Sequence, residues 1–221
     1  MPTLELHSHT HASGDCLMRP ADILRTCERK GIHRLAVTDH NTISAALEMR
    51  RLAPERVIVG EEIMTTQGEL LGYFLKEEIP AGLSPAETIA RLRAQGAAIS
   101  ISHPFDRLRK GAWREADLAA IIGLVDAIEV FNARCIYAED NARALAFAQA
   151  HGKPGTVGSD AHTHLELGQA TLSMERADNA AELIAGFANG QARTRLSSPF
   201  IHFASTFAKR WKRWRGLPLL K

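Results

Sequence analysis

Short runs of β-branched and aliphatic residues alternate along the chain with longer segments whose apolar positions recur three and four apart. The first pattern suits strands buried in a sheet, and the second suits amphipathic helices lying on it. Strands are predicted over residues 3–7, 34–38, 56–60, 69–75, 97–102, 127–131 and 155–158, and helices over 20–30, 42–52, 85–95, 115–122, 137–151 and 179–189. The local punctuation agrees. Ser84-Pro85-Ala86-Glu87 offers a capping serine, proline at the first helical position and glutamate at the third. Gly31, Gly96 and Gly152 stand where helices should stop. Strands alternating with helices imply an α/β fold with a mostly parallel sheet, either barrel-like or open.

The polar residues that interrupt this pattern fall in one kind of place. His7 and His9 end and follow the first predicted strand, Asp39-His40 follows the second, Glu61-Glu62 the third, and His103 a later one. Asn132 follows 127–131, and Asp160-Ala161-His162 follows the last strand. Residues two apart on a strand share a face, so the imidazoles of His7 and His9 converge. In a parallel barrel the carboxyl ends of the strands gather on one face, where such folds assemble their chemistry. Any one of these histidines alone is better explained as a hydrogen-bonded core or surface residue; together they predict a multinuclear metal site.

Composition bounds the rest. A chain of 221 residues with 45% hydrophobic content can fill one core. It shows no apolar leader and no run long enough to span a bilayer, so a cytoplasmic protein is expected. The three cysteines (Cys16, Cys27, Cys135) are odd in number and lack metal-type spacing, which implies reduced thiols. The net charge of +2 is unevenly spread: residues 205–221 carry six of the 27 basic residues and none of the 25 acidic ones. A division into a 1–204 domain and a basic, aromatic 205–221 tail follows. In and before that tail Phe203, Phe207, Trp211 and Trp214 form one helical stripe, expected to pack on the chain's own barrel with its basic neighbours solvated. The sharper alternative for the tail is a site for short nucleic acid or an anionic membrane surface, of which membrane contact is not expected.

Five motifs in order, His7-x-His9, Thr38-Asp39-His40, Gly60-x-Glu62 (or Glu61), Ser102-His103-Pro104 and Gly158-Ser159-Asp160-x-His162, make residues 3–200 resemble the PHP family. That superfamily of metal-dependent phosphoesterases is named for polymerase and histidinol phosphatase. The resemblance implies a distorted seven-stranded (β/α)7 barrel with a metal cluster at the carboxyl ends of its strands. It implies a first metal on His7, His9, Asp160 and a bridging carboxylate, taken as Glu61 with Glu62 in reserve. A second metal would share that bridge and add His103 and Asn132; a third would use Asp15, His40 and His162. Asp15 lies in Ser13-Gly14-Asp15, where many members read Ser-Asp-Gly, and Asn132 stands where some have histidine.

Two or three divalent ions are therefore expected, with Mn²⁺, Zn²⁺ or Fe²⁺ suiting mixed imidazole and carboxylate ligands. Such ions lower the pKa of bound water and neutralise phosphate oxygens, which fits hydrolysis of phosphate monoesters of small metabolites or nucleotides by a metal-bound hydroxide. Asp39 is expected to orient a histidine, and His164 to help a leaving alcohol or contact substrate. Arg134, Arg19 and Arg107 are candidate phosphate contacts, against the alternative of solvated loop arginines. The competing functions are a phosphodiesterase or exonuclease on short oligonucleotides, a non-catalytic regulatory module, and metal-assisted hydrolysis of another bond such as an amide.

Overall fold

The computed structural model describes residues 1–109 and 112–217. Its chain order is β1 (Thr3–Glu5), α1 (Pro20–Arg29), β2 (Arg34–Val37), α2 (Ser44–Leu52), β3 (Val57–Met64), β4 (Glu69–Tyr73), α3 (Pro85–Ala94) and β5 (Ala98–Ile101). It continues with α4 (Glu115–Ile121), β6 (Ala127–Asn132), α5 (Ala138–Ala150), β7 (Gly155–Gly158), β8 (Ala170–Ser173), α6 (Ala180–Phe187), β9 (Gln191–Thr194) and α7 (Ile201–Trp214). The caps form as the sequence implies: Ser84 Oγ accepts from the Glu87 amide at the head of α3, and Gly31, Gly96 and Gly152 adopt positive φ after their helices.

All seven predicted strands are present, with β8 and β9 added, in the order β7-β6-β5-β4-β3-β2-β1-β8-β9. The sheet curls into a nearly closed barrel. A parallel bridge between Ser8 and Ala161 joins the segment after β1 to the segment after β7. Strands β1, β2 and β3 run parallel, as do β5, β6 and β7, while β4 lies antiparallel between β3 and β5. Six strands therefore deliver their carboxyl ends to one rim, and the reversed β4 delivers its amino end, Glu69, to the same rim.

The core has two layers. Between sheet and helices lie Ile23, Val37, Met49, Leu92, Ile99, Leu118, Ile128 and Phe147. Inside the barrel, beneath the rim, lie Leu4, Leu6, Ile58, Leu71, Tyr73 and Val157, with Leu183 and Phe187 of α6 packed on them. Burial of each such side chain stabilises by about 1.5–3 kcal/mol, which holds the rim above it rigid.

The last helix departs from expectation. α7 starts at Ile201, so the boundary expected between residues 204 and 205 falls inside it. Its buried face is Ser205, Ala208 and Lys212, while Phe203, Phe207 and Trp214 are 71%, 62% and 79% exposed. Of the expected stripe only Trp211 is half-buried, and the other three rings stand in solvent. The docked face is held by polar bonds instead: Lys212 Nζ donates to the carbonyls of His11 and Ser13, and Ser205 Oγ accepts from Arg134. Among the described residues no helix is long and apolar enough to cross a membrane.

Candidate metal centre

Three imidazoles at the rim are locked through the same ring nitrogen. Nδ1 of His7 lies 2.9 Å from Glu129 Oε1; a carboxylate only accepts, so the ring donates there and turns Nε2 inward. Nδ1 of His9 lies 3.1 Å from Ser13 Oγ, whose own proton goes to Asp39 Oδ1 at 2.5 Å. Nδ1 of His162 lies 2.8 Å from the carbonyl of Asp160. In each case an outer acceptor fixes the tautomer and leaves Nε2 as a bare lone pair facing the centre, the usual support of a metal-ligating histidine.

The carboxylates complete the arrangement. Glu62 Oε2 lies 3.3 Å from His7 Nε2, 3.4 Å from His9 Nε2 and 3.0 Å from His40 Nδ1. Its Oε1 accepts from Ser102 and lies 2.9 Å from His103 Nε2. Asp160 Oδ1 is 3.1 Å from His9 Nε2, and Asp15 Oδ1 is 3.1 Å from His162 Nε2 and 3.7 Å from His40 Nε2. Among the described residues three sets of donor atoms result, each within 4.8 Å of one another: His7, His9 and Glu62; His9, His40 and His162; and His40, Glu62 and Glu69.

The donor set fits divalent cations. Nε2 of His7 and His9, Oδ1 of Asp15 and Asp160, and Oε2 of Glu62 are buried without a hydrogen-bond partner. Leaving a buried polar atom unsatisfied costs about 1–3 kcal/mol, so five at one point call for a shared partner that accepts lone pairs. Cys16 is close by, but its Sγ points to the carbonyls of His9 and His162, and burial keeps the thiol protonated by pushing its pKa up.

Crowding sets the electrostatics. Burial, then the His162 and His40 rings, hold His9 well below the ordinary imidazole range. Burial opposes charge on His7, but Glu62, Glu129 and Asp160 outweigh it and raise its pKa. Burial, then the neighbouring Glu62, raises Glu69. Burial opposes the charge on Asp160, and Arg109 and His7 overcome it and hold the carboxyl low. His103 and Asp160 both sit at positive φ, 21° and 51°, a conformation that costs such residues about 1–3 kcal/mol and tends to be kept where function needs the side chain so aimed.

Several expected residues lie elsewhere. Glu61 was the expected bridge, but neighbours on a strand face opposite ways; Glu61 Oε2 accepts from the Ile79 amide on the far side, and burial pushes its pKa up to about 8. Asn132 presents no free oxygen: its Oδ1 accepts from the Arg134 amide, and its Nδ2 donates to Glu129 and lies 3.4 Å from Asp160. Arg134 is buried, not at the mouth; its guanidinium reaches Ser205, the Asp160 carbonyl and Glu166. Arg107 is paired with Asp140, and Arg19 is an exposed residue at the head of α1. His164 packs against Thr26 of α1, 3.4 Å from its hydroxyl, outside the donor cluster. Asp39 touches none of the rings; it binds the Thr10 and Ser13 amides and hydroxyls and supports His9 through Ser13.

Four residues enter that sequence reasoning missed. Glu129 is a carboxylate inside an otherwise apolar strand, a cue that was available. Glu69 arrives only because β4 is reversed. Arg109, in contact with Asp160, and Lys209, 3.1 Å from Asp15 Oδ2, come from a loop and from α7. Both line a cavity of about 500 Å³ with Asp15, His40, Met64, Glu69 and Leu108.

Residues 5–69 match the PHP domain model and residues 138–192 the PHP-associated model. Two uncharacterized proteins of Methanocaldococcus jannaschii are similar. One is 41% identical over 143 residues, spanning 58% of this chain and 81% of that protein. The other is 36% identical over 185 residues, spanning 80% and 74%. Among solved structures, PsfC of Pseudomonas syringae superposes with a TM-score of 0.69 at 19% identity, covering 95% of this chain and 98% of that one. A two-domain protein of Bacteroides vulgatus containing a predicted PHP-like metal-dependent phosphoesterase gives 0.69 at 18%, covering 88% and 65%. The lesion-specific endonuclease EndoQ of Pyrococcus furiosus gives 0.54 at 14%, covering 87% and 57%. Solved structures this distant in sequence speak to the fold; the two family models, which together match more than half of the residues, establish that this chain belongs to the PHP family.

Proposed function

We propose that the protein is a metal-dependent phosphoesterase that hydrolyses phosphate monoesters of small metabolites or nucleotides. The observation that carries this is the set of five buried, unpartnered donor atoms beside a cavity bearing two cations. His7, His9, Glu62 and Asp160 would hold one ion; Glu62, Glu69 and His103 a second; Asp15, His40 and His162 a third. When bound, such ions neutralise phosphate oxygens and make coordinated water a nucleophile near neutral pH. The metal-dependent character agrees with the description of the Bacteroides neighbour.

The chain's own residues do the rest. Glu129, Ser13 and the Asp160 carbonyl keep protons on the Nδ1 atoms of His7, His9 and His162, so their Nε2 atoms stay available. Asp39 ties the loop through Thr10 and Ser13 and so fixes the height of His9. Arg109 offers a planar fork and Lys209 a point charge to an entering phosphate. A cavity of about 500 Å³ admits a small phosphorylated molecule. Cleavage of short oligonucleotides is the second reading, favoured by the exposed Arg210 and Arg213 near Lys209 on α7 and by the likeness in fold to the Pyrococcus endonuclease.

The test is phosphate release from a panel of phosphomonoesters, nucleotides and short oligonucleotides with added Mn²⁺, alongside a His103→Ala control. Metal-dependent release from monoesters that drops at least about a hundredfold in the control is expected. No release from any monoester, with full metal content measured in the sample, overturns the proposal.

A further inference from the structure

α7 has three distinct faces. One, Ser205, Ala208 and Lys212, is buried on the rim loops. A second is aromatic: Phe203, Phe207 and Trp214 are exposed, and Phe200, just before the helix, is 77% exposed and stacked near Phe203 at 6.3 Å. The third is basic, with Arg210 and Arg213 exposed beside Lys209. No acidic residue occurs from Ile201 to Lys221. With Trp211 half-buried and Phe200, Phe203, Phe207 and Trp214 in water, the helix lacks a partner for most of its large rings.

We propose that α7 docks the protein on an anionic lipid surface, with the phenylalanine and tryptophan rings entering the interface and Arg210 and Arg213 meeting the headgroups. Aromatic residues on one face and arginine or lysine on the next are the makeup of helices that lie in a bilayer interface. Basic residues close to an anionic leaflet add to the attraction. Leu17, 37% exposed, lines the same groove as Phe207 and extends the apolar surface with an aliphatic chain.

Two other occupants fit less well. A symmetric pair of α7 helices would bring Arg210 and Arg213 of both copies together with no acidic residue on the helix to offset them. A nucleic-acid strand feeding the metal centre would need the rings on the cavity side to stack its bases. Lys209 lines the cavity that holds Asp15, His40 and Glu69, whereas Phe207, about 200° away around the helix, lines a separate groove with Leu17 and His164 that reaches the edge of His162 and none of the other donors.

The experiment is co-sedimentation of the full chain with vesicles of phosphatidylcholine alone or with about 30% phosphatidylglycerol. Binding to the anionic vesicles only, weakened at about 0.5 M NaCl, is expected. The pair Phe203→Ser and Phe207→Ser should lower the partition coefficient about tenfold or more with circular dichroism and melting unchanged, since both side chains are exposed. Arg210→Glu with Arg213→Glu should do the same. Absence of wild-type binding to anionic vesicles overturns the proposal, as does binding indifferent to loss of the phenylalanines. A dimer that dissolves in the phenylalanine pair replaces it with self-association. Tighter binding of oligothymidylate than of vesicles, lost in that pair, replaces it with a nucleic-acid surface. None of these readouts depends on phosphatase activity.

Discussion

Glu61 and Glu62 differ by one step of strand register, and that step separates a carboxylate inside the donor cluster from one outside it. Glu62→Gln should therefore abolish tight metal binding, while Glu61→Gln, removing only an acceptor for the Ile79 amide, should keep metal content near that of the parent. Elemental analysis of the two purified variants decides this, and equal metal loss in both would contradict the assignment. Glu129 acts at one remove, through the Nδ1 proton of His7, and Glu129→Gln should weaken metal affinity by about 10–100-fold in a competition titration with a fluorescent chelator. Gly158 is the third such position. A Cβ there would lie 2.4 Å from His7 Cβ and 2.3 Å from Glu129 Oε1, so Gly158→Ala should displace His7 and fail to retain metal even where it folds. At this scale the sequence was informative about the histidines, because motif and spacing mark them. It was ambiguous about the glutamates, because adjacent identical residues differ only in which face of β3 they take.

Elements were legible wherever periodicity and caps agreed, as with α3 between Ser84 and Gly96. Strand direction was not. The run 69–75 has the composition of any buried strand, and nothing in it reveals that β4 returns antiparallel beside β3, which is what brings Glu69 to the rim. The face that α7 would bury was also misleading. Its stripe of rings satisfies the usual pattern for a core-facing helix, yet the small residues and Lys212 are what fit against the loop of His11 and Ser13. That contact predicts its own effect. Lys212→Met leaves two carbonyls without their donor beneath α7, which should cost about 1–3 kcal/mol in urea unfolding. A loss below about 0.3 kcal/mol would mean that α7 is held to the body by something other than this lysine.

At the scale of the whole molecule, the barrel and the metal centre oppose one another until a cation binds. The rim collects five histidines and the carboxylates Asp15, Glu62, Glu69 and Asp160 over a closed apolar interior, and five of their atoms stay unpartnered. A ligand that binds only the folded chain stabilises it by mass action, about 4 kcal/mol at a thousand times its dissociation constant. For a domain of this length each kcal/mol moves the melting temperature by about 2–4 °C. Stripping the metal with EDTA should thus lower the melting temperature by about 10 °C, and re-addition of Mn²⁺ or Zn²⁺ should restore it. The Glu62→Gln variant should melt at the same temperature with and without chelator, since its cluster no longer holds the ions. Because the midpoint reports binding to the native state and not turnover, this linkage tests the centre without any assumption about substrate. An unchanged midpoint on complete metal removal would mean that the rim is stable with its donors bare, and the five orphaned atoms would then have to be satisfied by protonation or water.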